Sequence, residues 1–363
     1  MIRNNRQSGF TLVEILLVVT VFTIILASAI SLTTRQVFDS DLSSKALAVA
    51  DLLERARNSS ATGYFGDVWS IKVLDNDALC MDSGDCILLF KGRGFSNRDA
   101  SYDRFVEFDQ DITGVYIEAN QENEFYFDYQ SGWLATTTAS SLEQQYIVLK
   151  NNVGEQKSVV VSPSGTVAIF TCGEDKVYDI SGHGYNTVKI GTQCWMAENL
   201  NTGTMLASGI STPSDDGLIE KWCFDNDTNN CNTYGGLYQW NEVMGYVTTD
   251  GTQGICPNGW HVPSHTQLQT LEAVFASGTN GTQMKLGGQS GFDLPYGGER
   301  NIYGDGDATD LYFDSVGTLA VMWTSTQYNS TDAYAHYVQS ENTMSSDPNP
   351  KTFGFSVRCL KDY

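Results

Sequence analysis

Two acidic loops carry the side chains that are best suited to bind a metal ion. In the first loop, oxygen-bearing side chains stand at alternate positions between two cysteines, as they do at the start of a calcium loop. That loop lacks the glycine and the distant bidentate glutamate of an EF-hand, and for both loops a solvated turn rich in Asp and Asn is the competing interpretation. Calcium is therefore the one cofactor that the sequence suggests. Its candidate ligands are Asp225, Asp227 and Asn229 in the first loop and Asp305, Asp307 and Asp310 in the second.

Residues that support catalysis are few. The chain has 4 histidines and contains neither a His-Glu-x-x-His nor a Gly-x-Ser-x-Gly motif. His261 and His265 have the spacing of a metal-binding pair, but Pro263 lies between them and disfavours a shared helix face. We interpret His261 as part of a packed turn, and we expect no catalytic residues and no enzymatic activity.

One carboxylate lies at the start of an apolar segment near the N-terminus. Glu14 precedes residues 15–30, which carry no charge, and a basic leader of residues 1–9 comes before it. A carboxylate costs about 2.5 to 3.5 kcal/mol near the centre of a bilayer, so it implies a partner charge. In a conventional signal peptide the small-residue cleavage site follows the apolar region, whereas Gly9 precedes it here. Cleavage after Gly9 would leave the apolar helix on the mature protein.

A long helix is needed to position this segment. Beyond Ile30, apolar residues recur at helical spacing until about Ala61, near Gly63. We predict one helix over residues 10–62, with the half at 10–32 in the membrane or in a filament; two helices broken around 28–34 are the alternative. The predicted apolar stripe of the second half consists of Val37, Leu42, Ala46, Leu47, Val49, Ala50, Leu52, Leu53 and Ala56.

After the helix, the apolar pattern changes to short runs rich in β-branched and aromatic residues. Gly, Asn and Asp clusters suited to turns separate these runs. A long helix followed by a meander of strands is typical of an α+β domain, here residues 63–170. The predicted strands are 68–74, 86–90, 105–108, 115–117, 125–129, 146–149 and 159–161.

The charge and the cysteines restrict the partners and the compartment. The 363 residues carry a formal net charge of −22, which opposes binding of the soluble part to nucleic acid or to anionic lipid. Eight cysteines follow the apolar segment, and an even number after an export signal favours disulfides. No Cys-x-x-Cys pair suggests zinc.

The N-terminal residues Gly9-Phe10-Thr11-Leu12-Val13-Glu14 resemble the class III signal of prepilins in the type IV pilin and type II secretion pseudopilin superfamily. The resemblance implies that a prepilin peptidase cuts after Gly9 and methylates Phe10. It also implies that Glu14 pairs with the N-terminal amine of a neighbouring subunit during assembly. Segments 56–61 and 157–167 resemble H-type minor pseudopilins and their FimT-like relatives, which implies a pilin β head at 63–170.

The composition changes in residues 171–363, which are richer in Cys, Trp and Gly than the preceding part of the chain. Their motifs resemble, in order, those of the Fibrobacter major paralogous domain, a relative of C-type-lectin-like and sulfatase-modifying-factor folds. The resemblance implies a loop-rich α+β module, and we could not place the cysteine pair of a sulfatase-modifying enzyme on it. The motifs lie at 179–201, 234–240, 255–264, 322–326 and 354–359.

All eight cysteines are expected to form disulfides. The expected pairs are Cys80–Cys86, Cys172–Cys194, Cys223–Cys231 and Cys256–Cys359. The first and third rest on proximity in sequence. The fourth is implied by the lectin-like resemblance, in which a late strand is stapled to the middle of the chain, and the second joins the two cysteines that are left. Trp240, Trp260 and Trp323 could stack on sugar rings, although a buried core is the commoner location of a motif tryptophan.

These features together predict an α+β protein with a long pilin helix on an antiparallel β head, followed by a lectin-like module. We expect a minor or tip-located subunit of an extracellular filament, anchored in the inner membrane as a precursor. Its expected partners are itself, other pilins, the prepilin peptidase and a surface glycan or protein. A major pilin whose module coats the shaft and a pseudopilin that recruits exported substrates are the alternatives.

Overall fold

The computed structural model describes residues 41–80, 84–117, 123–135, 144–152, 156–206, 211–276, 278–301, 312–339 and 343–362. The predictions for the processing and assembly residues Gly9, Phe10 and Glu14 and for the membrane segment lie outside these residues. The second acidic loop, with Asp305, Asp307 and Asp310, also lies outside them. Within the described ranges, no helix is both long enough and apolar enough to cross a membrane.

The described residues form mostly short strands and a few helices. The strands are β1 (Trp69–Leu74), β2 (Cys86–Lys91), β3 (Asp99–Glu107), β4 (Ile112–Ile117), β5 (Glu124–Phe127), β6 (Leu134–Ala135), β7 (Gln145–Asn151), β8 (Gln156–Val161), β9 (Val167–Ile169), β10 (Val177–Tyr178), β11 (Gly184–Tyr185), β12 (Thr187–Ile190), β13 (Gln193–Met196), β14 (Thr204–Met205), β15 (Glu220–Lys221), β16 (Tyr238–Gln239), β17 (Trp260–His261), β18 (Glu299–Asn301), β19 (Tyr312–Asp314), β20 (Ala320–Gln327), β21 (Asp332–Val338), β22 (Met344–Pro350), β23 (Gly354–Phe355) and β24 (Leu360–Lys361). The helices are α1 (41–61 in the described part), α2 (Thr228–Tyr234), α3 (Trp240–Val243), α4 (His265–Glu272) and α5 (Asn280–Met284), with 3-10 turns at Tyr64–Gly66, Phe95–Asn97 and Phe224–Asn226.

Helix α1 buries one face against the head. Its buried apolar residues recur mostly every three or four positions, as helical periodicity requires, and Ala50 is partly buried against the same core. Leu47, which the sequence placed in the apolar stripe, is instead 61% exposed, because it lies one residue, about 100°, around the helix from buried Ala46. The buried positions are Leu42, Ala46, Val49, Leu52, Leu53 and Ala56.

The end of α1 is fixed by a glycine and by a buried serine. Gly63 adopts a left-handed backbone (φ 67°), and its N–H donates to the Ser60 carbonyl, as in common helix C-caps. The Ser60 hydroxyl accepts the N–H of Trp69 at 2.9 Å, and the Ser60 carbonyl accepts the N–H of Gln130 at 2.9 Å. The helix end is therefore hydrogen-bonded to the start of β1 and to the turn between β5 and β6.

Two antiparallel sheets complete the head. One has the strand order β3-β2-β1-β5-β6 and the other the order β4-β7-β8-β9. A continuous core joins α1 to both sheets and includes Ile71, Phe125 and Ile147. The segment 157–167 forms the hairpin of β8 and β9, whose turn closes through the bond from the Gly165 N–H to the Ser162 carbonyl.

The second module is built from several small sheets. Their strand orders are β12-β13-β24-β17, β16-β23-β18-β19 and β20-β21-β22, with the additional pairs β10-β11 and β14-β15. The pairings are antiparallel except for β14 with β15. The described chain is thus a mixture of helices and many small, mostly antiparallel sheets, so the α+β prediction is confirmed in part.

Tryptophans occupy the interior of this module. Trp195, Trp222, Trp240, Trp260 and Trp323 are all fully buried. Buried indole N–H groups need acceptors. The Trp240 indole donates to the Thr324 carbonyl, and the Trp323 indole donates to the Tyr238 carbonyl, each at 2.8 Å. The motif tryptophans are therefore core residues and cannot stack on a sugar.

The structure contains the four disulfides named from the sequence: Cys80–Cys86, Cys172–Cys194, Cys223–Cys231 and Cys256–Cys359. The last bridges residues 103 positions apart. It lies beside the antiparallel pairing of β17 with β24, so a covalent bond and a strand ladder join the same two parts of the chain.

Aromatic rings join the head to the second module. Phe170 follows β9 and makes edge contacts with Tyr146 of the head and with Trp260 of the module, with both ring centroids at 6.1 Å. The Lys361 ammonium group lies over the Tyr146 and Phe170 rings at 4.7 and 5.6 Å. A cation held over aromatic faces is stabilised by the ring quadrupoles. The module is therefore packed against the head.

Candidate ligand-binding face

Three aromatic side chains form a surface on the second module, which we call the aromatic face: His265, Tyr328 and Tyr334. The His265 ring stacks on the Tyr334 ring at 4.3 Å with an interplanar angle of 17°. Tyr328 meets the same ring edge-on at 5.5 Å and is 56% exposed. Such packing fixes the rings while leaving apolar area in contact with water.

The start of α4 positions His265. Ser264 caps this helix: its hydroxyl accepts the Gln267 N–H, and its own N–H donates to the Gln267 side chain, which is a complete capping box. The His265 N–H donates to the Thr326 hydroxyl at 2.9 Å, which fixes the helix start on β20. Tyr334 lies on the adjacent strand β21.

A carboxylate borders the aromatic face. Asp250 is exposed and accepts hydrogen bonds from the hydroxyls of Ser325 and Thr326, the latter at 3.0 Å to each oxygen. A second polar group follows Tyr328, where Asn329 accepts the N–H groups of Thr331 and Asp332. The face thus combines exposed rings with a rim of oriented oxygen atoms.

A chain of hydrogen bonds leads from the aromatic face into the core. The Glu272 carboxylate is 2.6 Å from Nδ1 of buried His336, so that nitrogen carries the proton. Nε2 of His336 then accepts from Nδ1 of His265 at 2.8 Å, and Nε2 of His265 accepts from Gln269 at 3.0 Å. Burial, followed by the repulsion that a protonated His336 would exert, lowers the pKa of His265, while Glu272 and Asp250 act in the opposite direction. His265 is therefore neutral at pH 7.

The aromatic face offers a ligand both ring surfaces and oxygen acceptors. Both ring nitrogens of His265 have hydrogen-bond partners inside the protein: Nδ1 donates to His336, and Nε2 accepts from Gln269. Ring faces can pack on the C–H face of a sugar or on another flat apolar group, and carboxylate oxygens can accept hydroxyl protons.

A separate histidine, His261, forms a charged pair. Its Nδ1 contacts an Asp362 oxygen, and its Nε2 lies 3.0 Å from the Gln267 side-chain oxygen. That oxygen also accepts the Ser264 N–H, so both ring nitrogens face acceptors and both must donate. Burial opposes the charged ring, but the hydrogen bond and charge of Asp362, with the Gln267 bond, raise the pKa of His261.

The raised pKa predicts pH-dependent stability. Because the folded state holds the His261 proton more tightly than the unfolded chain, the pair stabilises the fold fully below the ordinary histidine pKa of about 6.5. This contribution is lost as the pH rises through the raised value. We expect a decrease of up to about 1 kcal/mol, since Asp362 is partly exposed. Urea unfolding at several pH values measures it, and Asp362→Asn should flatten the slope; an unchanged slope would contradict the assignment.

The first acidic loop begins a helix. Asp227 is the N-cap of α2, and its carboxylate accepts the backbone N–H and the side-chain amide of Asn229 at 2.9 and 3.0 Å. Asp225 has a left-handed backbone (φ 54°), which Asp tolerates in turns. These contacts give Asp227 and Asn229 a structural role, and calcium binding here stays a prediction.

Among the described residues, one group of three His, Cys, Asp or Glu side chains is close enough to hold a metal ion. It consists of Cys80, Cys86 and Glu107. The two sulfurs are bonded to each other in a disulfide, and a disulfide sulfur lacks the thiolate charge that metals require. This group is therefore not a metal site.

The sequence did not predict the aromatic face. The spacing of His265 and Glu272 puts both near one side of α4, and the alternation of Tyr334 and His336 puts both on one side of β21. These signals become informative only when α4 is known to pack on β21. In the sequence, His265 stands out only by its spacing from His261, and nothing near His336 marks it as a site residue.

Comparison with known families found two matches, one at each end of the chain. A prokaryotic N-terminal methylation motif matches residues 4–30, so the chain carries the signal of type IV pilin-like or pseudopilin surface proteins. This motif implies a membrane-anchored precursor, processing by prepilin peptidase and assembly with other pilins. Residues 188–361 match the Fibrobacter succinogenes major domain. Searches of curated proteins and of solved structures each found no significant match.

Proposed function

We propose that this protein is a minor or tip-located structural subunit of a type IV pilus-like surface filament. One observation carries the proposal. The same chain contains a methylation motif at residues 4–30 and a disulfide-stapled domain at 188–361, and a packed head lies between them. The helix retained after cleavage would build the filament. The second module, packed on the head through Phe170, would be displayed on the outside.

The displayed module acts in adhesion, and its ligand is a surface glycan bound at the aromatic face. The exposed Tyr328 ring, the His265–Tyr334 stack and the Asp250 carboxylate supply apolar contact and hydroxyl acceptors in one place. No catalytic step is part of this proposal.

Filament assembly is tested by a charge-neutral substitution, Glu14→Gln. The variant should be processed normally yet should not appear in sheared surface fibres, because the carboxylate that pairs with the neighbouring N-terminal amine is lost. Glu54→Gln on the exposed side of α1 is the matched control and should assemble like the unmodified chain. Normal fibres from Glu14→Gln would refute the assembly role. Abundance equal to that of the main shaft subunit would make this chain a major pilin.

Ligand binding is tested on a glycan array with the purified full chain. We expect binding to specific glycans, at least a tenfold loss for Tyr328→Ala, and unchanged binding for Tyr178→Ala, an exposed tyrosine outside the face. Parallel arrays with EDTA test the calcium prediction, because removal of a required ion should abolish binding. Absence of binding under every condition, or equal binding by both variants, would rule out the aromatic face as a glycan site.

A further inference from the structure

An amine and a carboxamide meet inside the second module, at Lys221 and Asn201. Lys221 lies on β15 and is 7% exposed. Its Nζ is 2.6 Å from the side-chain oxygen Oδ1 of Asn201, and it also donates to the backbone carbonyl of that residue. Since a C=O bond is about 1.23 Å long, the carboxamide carbon Cγ is no more than about 3.8 Å from Nζ.

The backbone holds both partners in place. The Asn201 N–H donates to the Tyr185 hydroxyl at 2.8 Å, and the preceding residue, Leu200, donates to the Val357 carbonyl at 2.8 Å. On the other side, the Lys221 carbonyl accepts the Leu206 N–H at 2.8 Å. Two reacting groups held in contact in this way react as if at very high concentration, provided that their orbitals align.

A buried carboxylate acts on the same amine. Asp179 is 4% exposed and accepts hydrogen bonds from the Tyr185 hydroxyl and from the N–H groups of Ser181 and His183. Burial lowers the pKa of Lys221 to about 8, and the attraction of Asp179 opposes that shift. About a tenth of the lysine is therefore in the neutral, nucleophilic form at pH 7, far more than for an ordinary lysine with a pKa of about 10.4.

We propose that Lys221 and Asn201 form an isopeptide bond after the module has folded. Asp179 accepts one proton from the Lys221 ammonium group, and the lone pair of Nζ attacks Cγ of Asn201. A second Nζ proton passes to the amide nitrogen Nδ2, the Cγ–Nδ2 bond breaks, and ammonia leaves and takes the proton from Asp179. The balance is a lysine ammonium group and an asparagine carboxamide giving a secondary amide and an ammonium ion, with no oxidant, reductant or cofactor.

This cross-link would join the residues before β14 covalently to β15, next to the parallel pairing of the two strands. The same contacts also suit an uncross-linked ammonium group that donates to two oxygens. The two states differ in covalent mass and in whether the lysine can react with an amine reagent.

Mass spectrometry of the full chain, denatured, reduced and alkylated, distinguishes the two states. The cross-linked chain is lighter than its sequence by the mass of one ammonia. Glutamyl endopeptidase cuts after Glu198, Glu220 and Glu242, so it separates Asn201 from Lys221 in an uncross-linked chain. We expect peptides 199–220 and 221–242 to remain joined after digestion and reduction.

Two variants complete the test. Lys221→Arg keeps the positive charge and the donors but should restore the full mass, and Asp179→Asn should leave much of the chain uncross-linked. Full mass in the unmodified chain, with Lys221 open to an amine reagent after denaturation, would overturn the proposal. A loss of ammonia without joined peptides would also overturn it, because it would mean succinimide formation at an asparagine. Complete cross-linking in Asp179→Asn would refute the role of Asp179 as proton carrier.

Discussion

Replacing Cys256 and Cys359 together by alanine is expected to lower the free energy of unfolding by about 4.7 kcal/mol, the chain-entropy value for a loop of about 100 residues. The two cysteines are 103 residues apart, so the unfolded chain gains a large conformational freedom when the bond is absent. Both sulfurs are buried in the core of the second module, and alanine adds no polar group there. The chain should consequently unfold at much lower denaturant.

The pair Cys223 and Cys231 supplies the matched control. It lies in the same module, is also buried, and closes a loop of only 8 residues, for which the same relation gives about 2.5 kcal/mol. Guanidinium unfolding followed by tryptophan fluorescence measures both variants, since five of the 7 tryptophans are buried in this module. Equal losses from the two double variants would mean that loop entropy is not the source of the stabilisation.

Local signals in the sequence were sufficient for the elements that depend on local physics. The apolar stripe of α1 predicted a helix that ends at Gly63, because a helix must bury a face and stop at a residue that tolerates positive φ. Leu47 shows the limit of that signal. Helical spacing identifies Ala46 and Val49 as buried positions, but it does not show that Leu47, which lies between them, points away from the core.

Features formed by distant residues could not be predicted in the same way. The aromatic face combines the start of α4 with the end of β20 and with β21, and Lys221 meets Asn201 across 20 positions of loop-rich chain. Neither arrangement follows from the two-residue period of a strand or the 3.6-residue period of a helix, and these periods are what patterns in a sequence reveal. The family resemblance did allow the Cys256–Cys359 disulfide to be predicted, because it indicated which distant parts of the chain pair. Composition carries no such information.

The packed joint between the modules restricts how the second module can be displayed. Phe170 contacts both Tyr146 and Trp260, and the Lys361 ammonium group lies over the rings of Tyr146 and Phe170. Apolar contacts between adjacent domains limit their relative motion. In a filament, the aromatic face would then keep a fixed direction relative to the helix that is proposed to build the shaft.

Trp323→Ala is expected to lower the free energy of unfolding by about 3 to 5 kcal/mol. Trp323 is fully buried on β20, and its ring contacts the tilted ring of Phe355, with the ring centroids 4.4 Å apart. Alanine leaves a cavity that the surrounding strands can fill only in part. It also removes the indole donor of the Tyr238 carbonyl, which stays buried.

Trp133→Ala provides the same chemical change on the surface. Trp133 lies in the head and is 57% exposed, so its loss should change the stability by no more than about 0.5 kcal/mol. Calorimetry of the two variants separates their effects. If the two variants unfold at the same temperature, Trp323 is not a packing residue. If Trp323→Ala also loses glycan binding while its stability is unchanged, Trp323 belongs to the ligand site. We expect Trp323→Ala to unfold at the lower temperature, because the Trp323 ring is packed in the core and its N–H group donates to the Tyr238 carbonyl.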